Sequence, residues 1–227
     1  MSAGRSRIPS RRSVRKLGWL VGAPLAIFRF FRRHTPVEVV DPADRPPPLP
    51  EEPGFVDRDD EQAVGPVIHR VYGATIPAPQ LSPQRLMAII AADPNVIAPV
   101  EVLRFEKTRG QPGDLHEGDE LEIQMAGPWS GPVVVTRRWD TGFRLAATSG
   151  HPQLGQVELR ARAVNGDIEL EVQTRERAGG LSFHILQRIG LIRRMQSYTW
   201  AEMLENAARI AGGRQPERIS LGSWRHG

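Results

Sequence analysis

Apolar and polar residues alternate strictly along two consecutive stretches, Gln156 to Val164 and Asp167 to Thr174, with only Asn165-Gly166 between them. In the first stretch Val157, Leu159, Ala161 and Ala163 share one face; in the second Ile168, Leu170 and Val172 do so. Glu158, Arg160, Arg162, Glu169, Glu171 and Gln173 take the opposite face. A period of two is that of a strand with one face packed and the other in water. Asn-Gly supplies the two positive-φ residues of a tight hairpin turn. The period then changes. From Leu181 to Ala211, Ile185, Ile189, Ile192, Thr199, Met203 and Ile210 recur near helical spacing, while Arg188, Arg193, Arg194, Glu202 and Glu205 fall mostly elsewhere on the cylinder. A sheet with one apolar face must bury it, and a helix of this length is the cover at hand. Upstream, strands are expected at Val67 to Tyr72, Val100 to Lys107, Glu120 to Met125, Val133 to Trp139 and Phe143 to Thr148. Between the first two, Ser82-Pro83 opens a short helix and Asp93-Pro94 closes it. The class is α+β, an antiparallel sheet of about six to seven strands wrapped on a long C-terminal helix.

Gly142-Phe143, the Gly150-His151-Pro152 turn with Gly155, the hairpin, and a helix carrying Arg194, Gln196 and Tyr198 together resemble the uncharacterised family called domain of unknown function (DUF) nineteen-ninety. The resemblance covers roughly Val67 to Gly212. It implies a helix-grip fold, similar to START-like lipid-transfer and birch-pollen-allergen proteins, with a cavity between sheet and long helix. It implies no established enzyme chemistry. This chain departs from the family after Gly155, where Gln156, Val157, Glu158 and Leu159 replace the family's acidic residues and aromatic.

Charge divides the 227 residues into unequal parts. Residues 1–35 hold nine Arg/Lys and no acid; residues 36–66 hold nine Asp/Glu and two Arg; the remainder is close to neutral. The division is a basic arm (1–35), a Pro-rich acidic linker (36–66), a helix-grip domain (67–212) and a flexible C-terminal tail (213–227). Cysteine is absent, which removes disulfides, thiolate metal sites and cysteine nucleophiles.

Within the arm, Leu17 to Phe28 is uncharged and bracketed by arginines. It is shorter than the ~20 apolar residues of a spanning helix, and Pro24 interrupts it. A membrane-surface anchor is one reading, with Trp19, Leu20, Leu25, Ile27, Phe28, Phe30 and Phe31 entering the headgroup boundary and the arginines meeting anionic lipid. An export signal, with Ser10 to Lys16 resembling a twin-arginine motif, a disordered tail, and an apolar segment folded back on the domain are the alternatives. The aromatics flank one apolar run instead of interleaving with the arginines, which argues against a nucleic-acid partner. The expected location is cytoplasmic and peripheral at the membrane. Arg45 to Pro50 is a stiff extended spacer with a weak potential for docking a protein partner.

No metal-ligand spacing and no Gly-rich phosphate loop occurs, so no metal and no cofactor is expected. His151, set in a Gly/Pro turn, is the candidate acid/base of an enzyme acting on a small hydrophobic substrate. No acid partner or nucleophile stands at readable spacing from it. The other reading is a noncatalytic binder of an apolar or amphipathic, lipid-like small molecule. Its ligand would lie against His151, Trp139, Ile185, Ile189, Ile192, Gln196, Tyr198 and Met203.

Overall fold

The computed structural model describes residues 37–39, 64–125, 130–180 and 191–226. The arm with its seven candidate membrane-contacting side chains, the proline spacer, Trp129, Ile185 and Ile189 lie outside the described residues, and so does the side chain of Ile192.

The described strands are β1 (Val37–Val39), β2 (Val64–Ile76), β3 (Leu103–Arg109), β4 (Glu120–Met125), β5 (Ser130–Trp139), β6 (Gly142–Ala147), β7 (Gln153–Val164), β8 (Asp167–Ala178) and β9 (Ile219–His226). They form one sheet in the order β1-β9-β2-β8-β7-β6-β5-β4-β3, antiparallel throughout except for β1 beside β9. Helix α1 (Pro83–Ala92) follows β2, and helix α2 (Leu191–Ala211) follows β8. The architecture is an α+β helix-grip fold, with one long late helix packed against β2 and β8 of a largely antiparallel sheet.

Local chemistry accounts for these elements. Asn165 (φ 52°) and Gly166 (φ 87°) form the two-residue turn, with Val164 opposite Asp167 and every pair in register back to Gln153 opposite Ala178. Helix α1 starts where Ser82 Oγ accepts the Arg85 N–H at 3.2 Å and Pro83 sets the first turn. It buries Leu86, Met87, Ile90 and Ala91. Helix α2 turns Ala201, Leu204, Ala207, Ala208 and Ala211 inward, and the four alanines let it lie close to the sheet. Its last carbonyl, on Ala211, accepts the N–H groups of Gln80 and Leu81, and Gly212 (φ 69°) ends it. Asn206 Nδ2 donates to Ile97 O at 2.8 Å, tying α2 to the loop after α1. Both helices contribute to one core with Tyr72, Leu145, Leu159, Leu170 and Val172.

Two sequence expectations are corrected by the structure. Residues 213–227 are not a flexible tail, since Ile219–His226 is β9, inserted between β1 and β2. Its alternation drives the pairing: Ile219 and Leu221 are buried in the core, while Trp224 on the other face lies over Gly222 and against the His69 ring, 5.4 Å between centroids. With β1 at Val37–Val39, pairing also reaches into the stretch read as linker, and the sheet has nine strands among the described residues.

The second correction concerns the hairpin face expected to meet water. Glu158 and Gln173 are buried there, as is Arg144 beside them on β6. Side-chain pairing permits it: across strands Arg144 donates from both Nε (3.1 Å) and Nη2 (2.7 Å) to Glu158, and within β8 Gln173 donates to Glu171, which also accepts from Arg160 on β7. Charges leave water only when paired in this way. Arg162 and Glu169 at the hairpin tip remain exposed and bonded to each other at 2.8 Å.

Candidate functional site

Strand parity places a polar cluster on the helix-facing side of the sheet. In β2 the inward positions are Ile68, Arg70, Tyr72, Ala74 and Ile76; in β8 they are Ile168, Leu170, Val172, Thr174, Glu176 and Ala178. Arg70 stands opposite Thr174 and Ile68 opposite Glu176, so Arg70 and Glu176 are diagonal neighbours on one face. Arg70 Nη1 donates to Glu176 Oε1 and, at 2.7 Å, to Gln196 Oε1. Gln196 sits on α2 and returns a bond from Nε2 to Glu176 Oε2 at 2.6 Å. Gln153, at the start of β7, donates to the same Glu176 oxygen at 3.0 Å and accepts from Gln196 at 3.3 Å. Tyr72 Oη lies 3.5 Å from Ser197 Oγ, one residue along α2.

Arg70 is 2% exposed and Glu176 7%. Burial raises the Glu176 carboxyl above its ordinary range, with the Arg70 charge and the two glutamine donors pulling the other way. Burial also pushes the Tyr72 phenol up to about 12. A buried ion pair contributes little net stability against an apolar substitute, yet breaking it by removing one partner costs about 3–5 kcal/mol. The pair therefore fixes how α2 sits on β2 and β8.

The Gly-His-Pro turn borders this cluster. Gly150 has φ 92°, and the His151 N–H donates to Thr148 O. His151 Nδ1 accepts the Gln153 N–H at 3.0 Å, so the neutral ring carries its proton on Nε2. The ring lies over Gly131 of β5, where an added Cβ would fall 2.0 Å from it. Half-buried and desolvated in this way, His151 has its pKa lowered from 6.5 to about 4. Gly155, φ 142°, stands opposite Glu176, and an added Cβ there would be 1.9 Å from Arg175 O. That position therefore presents no side chain beside the carboxylate.

Away from the cluster the inward face becomes apolar. Next to Thr174 come Val157 on β7, Leu145 on β6 and Val135 on β5, each opposite its neighbour. Leu121, Ile123 and Phe105 continue the wall toward the far edge. The interior is thus apolar except for the patch of Arg70, Thr174 and Glu176 on β2 and β8, an arrangement suited to holding a molecule with one polar end.

Of the residues expected to line a ligand site, Gln196 and His151 come to this region. Met203 is buried in the core and Tyr198 is half-buried on α2. Trp139 is misplaced by the sequence reading: in register with Gly142, it lies across that glycine on the outer face, away from Phe143 and the core. Arg70, Gln153, Thr174 and Glu176 were missed, although Arg70 and Glu176 both stand at core parity in adjacent strands. Among the described residues no group of His, Asp and Glu is arranged to hold a metal ion, and no helix is long and apolar enough to cross a membrane.

No family model matches the chain, and no curated protein does. Solved structures do. Norcoclaurine synthase from Thalictrum flavum, in complex with dopamine and hydroxybenzaldehyde, is 10% identical, with 73% of this chain and 95% of that one covered at a TM-score of 0.47. A conserved protein from Geobacillus kaustophilus is 12% identical over 62% of this chain and 95% of its own, TM-score 0.45. Ara h 8.0201 is 12% identical over 60% and 98%, TM-score 0.39.

Proposed function

We propose that this chain is a noncatalytic binder of an amphipathic, lipid-like small molecule held between the sheet and α2. The polar end of the ligand meets the Arg70–Glu176–Gln196–Gln153 cluster and its apolar body runs along Val157, Leu145 and Val135. The observation that carries this reading is the placement of a buried ion pair at one side of an otherwise apolar interior. Membership of the DUF nineteen-ninety family belongs to the same reading, supported by the Gly150-His151-Pro152 turn and Gly155. His151 acts here as a turn and wall residue, its Nδ1 lone pair already taken by the Gln153 amide. Residues 1–35 bring the domain to an anionic membrane surface, a role supported by their apolar run between arginine clusters.

Two measurements test this. Solvent extraction of the purified full chain, followed by mass spectrometry, should yield an amphiphile, and a fluorescent fatty-acyl probe should bind. Leu145→Trp should then displace the probe with little change in unfolding midpoint, since filling a lumen costs less than the ~1–3 kcal/mol of overpacking a dense core. A parent that binds no probe, with a strongly destabilised Leu145→Trp, would mean that the interior is solid and would end the ligand reading. For the arm, removal of residues 1–35 leaves β1 in place and should abolish co-sedimentation with anionic vesicles. Unchanged co-sedimentation would refute that role.

A further inference from the structure

Three buried polar atoms in or beside the grip interior have no hydrogen-bond partner among the described residues: Arg70 Nε, Thr174 Oγ1 and Trp200 Nε1. Arg70 and Thr174 are opposite one another on β2 and β8, at 2% and 3% exposure. Trp200 lies one helical turn beyond Gln196 on α2, and Gln196 is itself bonded to Arg70. Helical spacing thus puts Trp200 on the face of α2 that meets Arg70. A buried donor without a partner costs about 1–3 kcal/mol, so an opposed Arg70–Thr174 pair with Trp200 on the facing side of α2 marks a place where a partner belongs.

Their chemistry has one sign. Guanidinium and indole nitrogens only donate, and a threonine hydroxyl can donate. We infer that the polar end of the ligand is an oxygen acceptor carrying negative charge, a carboxylate, received by Arg70 Nε, Thr174 Oγ1 and Trp200 Nε1. This deepens the proposed function and rests on it. A carboxylate is favoured over a neutral oxygen because Arg70 carries a permanent charge whose present partner, Glu176, is disfavoured as an anion by its own burial. An ammonium head would meet Arg70 with like charge and would leave all three donors unfilled.

The test is displacement of the neutral dye N-phenylnaphthylamine from the full chain by dodecanoate, dodecanol and dodecylamine, three heads on one tail. Dodecanoate should bind tightest and dodecylamine weakest. Thr174→Val keeps the shape and removes the hydroxyl, and Trp200→Phe removes the indole N–H. Each should weaken dodecanoate about tenfold more than it weakens the dye, the scale of one hydrogen bond to a charged group. Thr174→Ser should restore the affinity. Dye binding with no preference among the heads, or with dodecylamine preferred, overturns the carboxylate assignment while leaving the binder intact. Parental affinity for dodecanoate in both variants overturns it as well. Failure of the dye and all three competitors to bind removes the proposed function itself.

Discussion

Replacement of His151 by Asn should alter the acid sensitivity of the fold by an amount that follows from the burial of the ring. The folded-state pKa is about 4, against 6.5 for the free side chain. As pH falls, the unfolded chain takes up this proton first. The stability held in the neutral ring is therefore whole above pH 6.5 and drains away toward pH 4. At about 1.4 kcal/mol per pH unit, on the order of 3 kcal/mol is at stake, of which about 2.5 kcal/mol is gone by about pH 4.5. Asn does not titrate, and its Oδ1 can accept the Gln153 N–H in place of Nδ1. The lost ring packing over Gly131 costs the variant a roughly constant amount at every pH. Glu176 works in the opposite direction: its pKa is raised, so the stability it withholds at high pH returns as pH falls below the folded value. Both proteins contain Glu176, and the difference between them cancels it. Urea unfolding of parent and variant at about pH 7.5 and about pH 4.5 gives that difference. The parent should lose about 2.5 kcal/mol relative to the variant between the two conditions. Parallel pH profiles would show that the ring is open to water or already charged when folded, and would refute the reasoning.

Gly166→Val should lower stability by about 1–3 kcal/mol in urea unfolding, purely through backbone strain, because nothing lies within 4 Å of an added Cβ there and φ is 87°. An unchanged midpoint would mean that the turn is not the two-residue type. Removal of residues 214–227 deletes β9 with buried Ile219 and Leu221, worth about 1.5–3 kcal/mol apiece, and should leave a domain of ordinary 5–15 kcal/mol stability marginal. A truncated chain with the parental thermal midpoint would show that β9 is dispensable.

Much of the fold was legible because its signals are local. The Asn165-Gly166 turn, the Ser82-Pro83 helix start and the Asp93-Pro94 stop each act within a few residues, and each stands where the pattern placed it. Strand β9 was not legible. Ile219-Ser-Leu-Gly-Ser-Trp alternates over few positions and has a glycine at its centre, and its partner β2 lies at the other end of the domain, so only tertiary contact makes it a strand. Buried Glu158 and Gln173 were misread for a related reason: the alternation assigns a face but does not reveal that Arg144, on another strand, will pair with one of them. The polar cluster left a trace that was passed over. Arg70 and Glu176 interrupt the apolar parity of β2 and β8, and two opposite charges at core positions of strands that pair should be read together, as a buried pair.

The position of β9 between β1 and β2 also bears on the order of assembly. Among the described strands, the seven from β2 to β8 can pair among themselves, but β2 keeps a free edge and β1 has no neighbour until β9 has been made. Val37 finds its register only against Ile219, across nearly the whole described chain. Closure of this seam is the longest-range event in folding and is expected among the slowest, because a large loop must close before any pairing rewards it. In the interval the edge of β2 from Val67 to Gly73 lies open to any other strand, including the same segment of another nascent chain.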